Sequence, residues 1–189
     1  MRFAYADPPY LGQGEKHYSD HPEHADYDSI DGHKLLIERL VDEYPDGWAL
    51  SLHVPSLSAM LDLCPDDVRV GAWVKTFAAF KVNVNPGYCW EPVIWRGGRK
   101  RDRSWPTTRD WCAAPITLKK GTSGAKPKQF THWILTLLGA EPTDEIVDLF
   151  PGSGMVQDFI DEWTLNPTSF KQQVKPVDVS VPFPIEEIA

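Results

Sequence analysis

An apolar run that stops abruptly at an acid and two prolines lies at the start of the chain and most constrains its fold. The run from Phe3 to Ala6 is β-forming and has no polar interruption, which indicates a buried strand of a parallel sheet. Ligands of such sheets bind at the carboxyl ends of the strands. Asp7-Pro8-Pro9-Tyr10 follows directly, so the sequence predicts that this tetrapeptide lies at a ligand-binding edge.

The tetrapeptide combines two hydrogen-bond acceptors with a flat ring. Pro8 and Pro9 fix φ and stiffen the loop, so the Asp7 carboxylate and the Pro8 carbonyl can face one site beside Tyr10. Such a site suits the amino group of a flat heterocycle, because accepting both of its protons turns the nitrogen lone pair towards an electrophile. A proline turn that only closes a core strand would contain the same residues, so the motif alone leaves both interpretations open.

Strand and helix patterns alternate over the first half of the chain and predict a doubly wound α/β sheet. Asp31 suits the N-cap of the first helix. Glu91 begins a further apolar run, and the adjacent Pro92 indicates an edge or a strand-start position, which fits an antiparallel strand at the edge of the sheet. The predicted elements are a helix to about Glu43, strands at 48–54 and 68–75, a short helix at 56–63 and the strand from Glu91 to Trp95.

A glycine-containing turn lies near the other end of the chain. A short buried strand from Glu145 to Phe150 leads into Pro151-Gly152-Ser153-Gly154, and a helix follows from Met155 to Trp163. Glycines at such a turn let a ligand approach the backbone closely. By itself the pattern suits a nucleotide site and a plain tight turn equally well. Lys126-Pro127 precedes a predicted helix at 128–138 that Gly139 ends.

Three motifs in this order resemble those of the S-adenosylmethionine-dependent amino-methyltransferases that modify adenine N6 or cytosine N4 in DNA. Asp7-Pro8-Pro9-Tyr10 resembles their catalytic motif. The run from Ile146 to Gly154 resembles their cofactor motif, and Gly124 to Pro127 resembles the Lys-Pro element before it. A catalytic motif first and a cofactor motif last is the permuted, β-type order. Three ordered motifs over about 150 residues are far more specific than one.

The resemblance implies a Rossmann-like methyltransferase sheet, mostly parallel with an antiparallel edge strand. It implies S-adenosylmethionine as cofactor, DNA as substrate and, because an acid leads the catalytic motif, adenine N6 as the target. Cytosine N4 methylation and a weakly catalytic cofactor- or DNA-binding subunit that needs a partner are the alternatives. The implied catalytic residues are Asp7, Pro8, Pro9 and Tyr10, and the implied cofactor-binding residues are Lys126, Asp148, Phe150, Pro151, Gly152, Ser153 and Gly154.

Basic and aromatic side chains are interleaved in the stretch 96–120, as a phosphate backbone and exposed bases require. A solvated basic loop is the alternative interpretation. Longer relatives carry their target-recognition domain in this region, whereas this chain has only a loop there, so we expect sequence specificity that is limited or supplied by a partner. The implied enzyme is a site-specific or low-specificity one that acts on double- or single-stranded DNA. The net charge of −8 argues against an undifferentiated nucleic-acid binder. The predicted nucleic-acid-binding residues are Arg96, Arg99, Lys100, Arg101, Arg103, Trp105 and Arg109.

Other sequence features concern the domain division, the cellular compartment, the assembly and the metal content of the protein. We expect one domain at 1–163 and a proline-spaced tail at 164–189. Relatives continue after Trp163 into a strand that ends in an acid bonded to the cofactor ribose, and Asp178 is the candidate to replace that acid here. Three cysteines without metal or redox spacing indicate reduced thiols in a cytosolic protein. The resemblance to small enzymes without a recognition domain implies a phage or mobile element as the source, and thus the cytoplasm of a bacterial or phage-infected cell. No apolar run predicts a membrane span, and relatives often form homodimers. No metal is expected, although histidines and acids share one loop, at His17, Asp20, His21, His24 and Asp26.

Overall fold

The computed structural model of the chain describes residues 1–12, 27–75, 82–116 and 125–167. The strands in these ranges are β1 (Arg2–Ala6), β2 (Gly47–Ser51), β3 (Arg69–Val74), β4 (Trp90–Gly97), β5 (Trp111–Ala113) and β6 (Glu145–Asp148). The α-helices are α1 (Ile30–Glu43), α2 (Leu57–Leu61), α3 (Lys128–Leu138) and α4 (Met155–Leu165), and a short 3-10 helix (Val54–Ser56) precedes α2.

The described strands form one mixed sheet in the order β5-β3-β4-β2-β1-β6. β1 pairs in parallel with β2 and β6, and β3 pairs in parallel with β5. β4 runs against both of its neighbours, β2 and β3. Apart from β4, the described strands therefore point the same way, which confirms the prediction of a mostly parallel α/β sheet.

The prediction that the antiparallel strand lies at an edge is wrong, because β4 lies between β2 and β3. Pro92 is tolerated inside the sheet for a local reason. Its carbonyl accepts from the Leu52 amide at 3.3 Å, one residue beyond the end of β2. In an antiparallel pair the N–H and C=O of a residue point to the same neighbour. The missing N–H of Pro92 therefore removes a hydrogen bond only where the β2 ladder ends.

Helices cover both faces of the sheet, and β1 is buried between them. Phe3 and Tyr5 belong to the apolar cluster that contains residues of α3 and α4, whereas Ala4 and Ala6 belong to the cluster that contains residues of α1 and α2. These four side chains are at most 3% exposed. Burying each large apolar side chain stabilises the fold by about 1.5 to 3 kcal/mol. β1 therefore holds the residue that follows it, Asp7, on a rigid support.

The helix boundaries follow local sequence signals, with one correction. Ser29, not Asp31, caps α1, because the Ser29 hydroxyl accepts from the Gly32 amide at 3.2 Å. Asp31 lies in the first turn, where the helix dipole favours a negative charge. Gly139 ends α3 with a φ of 65°, a conformation that glycine adopts without steric cost. None of the described helices has the length and apolar character needed to cross a membrane.

Candidate active site

Side chains from five strand ends meet at one edge of the sheet. Asp7 follows β1, His53 follows β2, Lys75 follows β3, and Asp148 ends β6. β4 runs in the opposite direction, so its second residue, Glu91, lies at this same edge, near the end of β3. We call this end of the sheet, where the parallel strands have their carboxyl ends and the predicted catalytic residues lie, the catalytic edge. The interior antiparallel strand thus adds a carboxylate to the ends of its parallel neighbours.

Lys126 lies against the predicted catalytic acid. Its ammonium nitrogen Nζ is 3.0 Å from Asp7 Oδ1 and 3.5 Å from Glu91 Oε2, and the residue is only 5% exposed. Burial opposes the charge on the ammonium, but the two carboxylates outweigh burial and raise the pKa of Lys126. Lys126 is therefore a fixed cation between two acids. Its predicted role in holding a cofactor stays a prediction.

The Asp7 carboxylate is a paired acid that a ligand can still reach. Its side chain is 22% exposed, and the Tyr10 hydroxyl oxygen lies 3.5 Å from Oδ1, a weaker contact than the 3.0 Å hydrogen bond that this hydroxyl donates to Glu91. Burial raises the pKa of Asp7, and the negative charge of Glu91 adds to this effect, whereas Lys126 and Tyr10 lower the pKa. The net result is a raised pKa, so Asp7 is a better proton acceptor than an exposed aspartate.

The Glu91 carboxylate contacts three donors at the catalytic edge, the Tyr10 hydroxyl and the ammonium groups of Lys75 and Lys126. Its Oε2 accepts from the Tyr10 hydroxyl at 3.0 Å, and its Oε1 forms an ion pair with the ammonium of Lys75. Burial opposes ionisation of Glu91, but Lys126 and Lys75 outweigh burial and lower its pKa. The sequence identified Glu91 only as the start of a strand. Its place in the site was missed, as was that of Lys75, because both depend on strand order.

Tyr10 is held at its hydroxyl and on one ring face. The hydroxyl accepts from Lys126 Nζ at 3.1 Å and donates to Glu91. The ring of His53 stacks on the Tyr10 ring, with centroids 5.3 Å apart and planes 6° apart. His53 is itself fixed, since its Nδ1 lies 2.8 Å from the Ser56 hydroxyl. Buried Pro8 and half-buried Pro9 connect this ring to Asp7.

The glycine-containing turn lies beside Asp7, because β6 pairs with β1 and Asp148 is the register partner of Tyr5. The Phe150 amide donates to Asp148 Oδ1 at 3.2 Å. Asp148 Oδ2 is buried and has no hydrogen-bond partner among the described residues. Gly152 and Gly154 have φ values of 44° and 76°, which favour glycine. A Cβ on Gly154 would meet no atom within 4 Å, so the backbone borders open space.

The predicted nucleic-acid-binding residues begin at the edge opposite Asp7, where β4 ends and β5 begins. Arg96 pairs with Asp67 at 2.6 Å, and Arg99 pairs with Asp144 at 2.8 Å. Arg101 donates to the Thr136 and Leu137 carbonyls at the end of α3. Trp105 is 44% exposed and has Arg101 over its ring. Lys100 and Arg103 lie in the same loop, and Arg109 lies over the Trp111 ring. Nucleic-acid binding by this stretch stays a prediction.

Some predicted features lie outside the described residues. These are the histidine-rich loop, Lys119 and Lys120, Gly124, and the part of the tail beyond residue 167, which contains Asp178. Within the described ranges, no group of three or more His, Cys, Asp or Glu side chains is arranged to hold a metal ion. The predicted division at residue 163 stays a prediction, and α4 continues to Leu165.

Two crystal structures of M1.HpyAVI share this fold. One, a complex with SAM, aligns with a TM-score of 0.50 and 17% identity over 86% of this chain and 78% of M1.HpyAVI. The other aligns with a TM-score of 0.55 and 12% identity over 87% of this chain and 76% of M1.HpyAVI. No protein-family model matches the sequence, and no curated protein matches it. At this identity the likeness concerns the fold, which is the Rossmann-like sheet described above.

Asp148→Asn makes the stability of the fold less dependent on pH. Burial, together with the nearby Asp7 charge, raises the pKa of Asp148 to about 6 although the Phe150 amide lowers it. A carboxyl whose pKa is raised in the folded state stabilises the fold below its unfolded pKa, and this contribution is lost as pH rises through about 6. The free energy of unfolding of the variant minus that of the wild type therefore increases from pH 4 to pH 8, which urea unfolding at each pH measures.

The matched control for Asp148→Asn is Asp161→Asn, which changes an exposed carboxylate on α4. We expect the control to follow the wild-type stability at each pH. A stability difference between Asp148→Asn and the wild type that is the same at pH 4 and pH 8 would contradict a raised pKa at this position.

Proposed function

We propose that this chain transfers a methyl group from S-adenosylmethionine (SAM) to the N6 amino group of an adenine in DNA. One observation carries the proposal. Asp7 lies beside Tyr10 after β1, and the neighbouring parallel strand β6 ends in Asp148 and the glycine-containing turn. An acceptor for a base amino group and a cofactor-type turn thus share the edge where ligands of such sheets bind. The likeness to M1.HpyAVI supports DNA methylation in general, and Asp7 favours adenine.

Asp7 and Tyr10 divide the recognition of the base in this proposal. Lys126 and the Tyr10 hydroxyl both contact Oδ1 of Asp7, so we assign Oδ2 and the Pro8 carbonyl to the amino group. An adenine extruded from the stack would lie on the Tyr10 ring. The amino nitrogen would gain the methyl group as its bond to the SAM sulfur breaks, which leaves S-adenosylhomocysteine, and the nitrogen would release one proton, for which Asp7 is a nearby acceptor. Orientation of the lone pair, more than strong basicity, is the contribution of this carboxylate.

The residues at the end of β6 fit the cofactor. Buried polar atoms are almost always satisfied, so the unpartnered Oδ2 of Asp148 indicates a donor from a ligand, such as the ammonium of SAM. The open space beside Gly154 lets a ligand approach the backbone at the start of α4. When bound, SAM supplies an electrophilic methyl group. The residues proposed to hold it are Lys126, Asp148, Phe150, Pro151, Gly152, Ser153 and Gly154.

The placement of the basic stretch favours one alternative, a cofactor- or DNA-binding subunit that needs a partner for activity. Arg96 and Arg99 lie at the edge opposite Asp7 and form ion pairs with acids of this chain. Cations that are already paired are less available to phosphates. A partner would then supply the contacts that hold DNA at the catalytic edge. Cytosine N4 is a narrower alternative, because the same acceptors suit its amino group.

The test is to incubate the purified chain with labelled SAM and double- or single-stranded DNA, and to identify the labelled nucleoside by mass spectrometry. N6-methyladenine is the expected product. N4-methylcytosine would overturn the choice of base but keep the chemistry. No product, with SAM binding intact by calorimetry, would overturn catalysis by the isolated chain in favour of the partner-dependent alternative.

The proposal also assigns a setting. The enzyme would act where its DNA substrate lies, in the cytoplasm of a bacterial or phage-infected cell. We also propose the permuted motif order, a single domain at 1–163 with a loop where longer relatives carry the recognition domain, and a homodimeric assembly.

A further inference from the structure

Glu91 connects parts of the candidate site that are distant in sequence. Its Oε2 accepts from the Tyr10 hydroxyl at 3.0 Å and lies 3.5 Å from Lys126 Nζ, while its Oε1 pairs with Lys75. The Glu91 side chain is only 17% exposed. Charges shielded from water in this way interact more strongly than charges on the surface. Glu91 therefore contributes to the geometry on both sides of Asp7.

We propose that Glu91 is a positioning residue, which sets the plane of the Tyr10 ring and the place of Lys126 beside Asp7. This inference rests on the function proposed above. The hydrogen bond from the Tyr10 hydroxyl to Glu91 and the stacked ring of His53 both restrain Tyr10. Together they hold the ring plane before a base arrives, so a base on Tyr10 meets Asp7 in a defined geometry.

Glu91 also balances the charges around Asp7. The carboxylates of Asp7 and Glu91 face the ammonium groups of Lys75 and Lys126, two of each sign. Without the Glu91 charge, Asp7 would be the carboxylate of this cluster that is left to form an ion pair with Lys126. Lys126 would then compete more strongly with the base amino group for the Asp7 oxygens. The expected loss is in the catalytic step more than in the binding of SAM.

Replacement of Glu91 also changes how Asp7 titrates. In the part of the chain that the structure describes, the ionisable groups that interact with the Asp7 carboxylate are those of Tyr5, Tyr10, Glu91, Lys126 and Asp148. Burial is the main cause of the raised pKa of Asp7, and the charge of Glu91 raises it further. Removing that charge lowers the pKa of Asp7. The acid limb of the pH-rate profile, where Asp7 becomes protonated, should then move to lower pH.

Glu91→Gln tests the proposal, with Glu162→Gln as its matched control, because Glu162 pairs with Lys128 on the exposed surface. We expect Glu91→Gln to lower kcat for adenine methylation by roughly 10- to 100-fold and to change SAM affinity much less, because Lys126 alone among the residues proposed to hold SAM is described in contact with Glu91. Its acid limb should move to lower pH, a change that a general loss of folding would not produce. The control should keep the wild-type kcat and pH profile. A Glu91→Gln enzyme that behaves like the control would overturn the inference.

Tyr10→Phe provides a second test if Glu91→Gln does not fold. Phenylalanine keeps the ring and removes the hydroxyl that Glu91 holds. We expect about a 10-fold lower kcat with an unchanged melting temperature. Full activity of Tyr10→Phe would overturn positioning through this hydroxyl. Failure of the wild-type chain itself to methylate DNA would instead overturn the proposed function and, with it, the role given to Glu91.

Discussion

Asp7→Ala lowers the kcat of adenine methylation by roughly 10³-fold. The carboxylate is the fixed acceptor that orients the amino nitrogen, and alanine has no group that could replace it. The Asp7 side chain is partly exposed at the catalytic edge, whereas the glycine-containing turn is on the next strand. SAM binding should therefore remain within about twofold of the wild type. Labelled methyl transfer under single-turnover conditions and calorimetric titration with SAM measure the two quantities.

The matched control for Asp7→Ala is Asp42→Ala, which removes an exposed carboxylate from α1. It should methylate DNA at the wild-type rate. Asp7→Asn separates charge from shape, because the amide keeps one acceptor oxygen and the size of the side chain. We expect Asp7→Asn to retain more activity than Asp7→Ala. Methylation that persists in Asp7→Ala at the wild-type rate would contradict the proposed mechanism.

Lys126→Met destabilises the fold by about 3 to 5 kcal/mol, because it removes the cation shared by two shielded carboxylates. Asp7 and Glu91 would then face each other without the ammonium that lies 3.0 Å from one and 3.5 Å from the other. Methionine has a similar length, so the loss reports charge more than volume. Urea unfolding at neutral pH, followed by circular dichroism, measures the change in the free energy of unfolding.

Lys128→Met is the control, since Lys128 forms an ion pair with Glu162 in which both side chains are about half exposed. Such surface pairs contribute at most about 1 kcal/mol. The raised pKa of Lys126 means that its stabilising charge is fully present below its unfolded pKa of 10.5 and is lost only as pH rises through a still higher value. The difference between the two variants should thus be constant from pH 6 to pH 9. Equal destabilisation by both variants would contradict the role of Lys126.

Local sequence signals predicted the elements that carry most of the candidate site. The buried run from Phe3 to Ala6 is a strand, and Asp7 follows it at a ligand edge. The helix after Pro127 and the turn at Gly152 and Gly154 also lie where the sequence predicts them. These predictions succeed because burial pattern, proline geometry and glycine conformation are properties of a few adjacent residues.

Contacts between distant residues could not be predicted in the same way. The cofactor role that the resemblance implies for Lys126 stays a prediction, but the contact of its ammonium with Asp7, more than a hundred positions away, could not be predicted from the sequence. The basic stretch that begins at Arg96 was expected to serve DNA, yet it starts at the opposite edge of the sheet. The local composition of such a segment indicates what it can bind. It does not indicate which edge the segment reaches, because that depends on the direction of the strand before it.

By itself, the sequence determined an α/β chain in which an acid and a tyrosine follow the first strand and a glycine-containing turn follows the last described strand. Only the tertiary structure decided that β4 lies inside the sheet and so brings Glu91 to the catalytic edge. Periodicity reports which faces of a strand are buried. Strand order is set by packing between segments far apart in the chain. The interior position of β4 is compatible with Pro92 because β2 ends beside this proline.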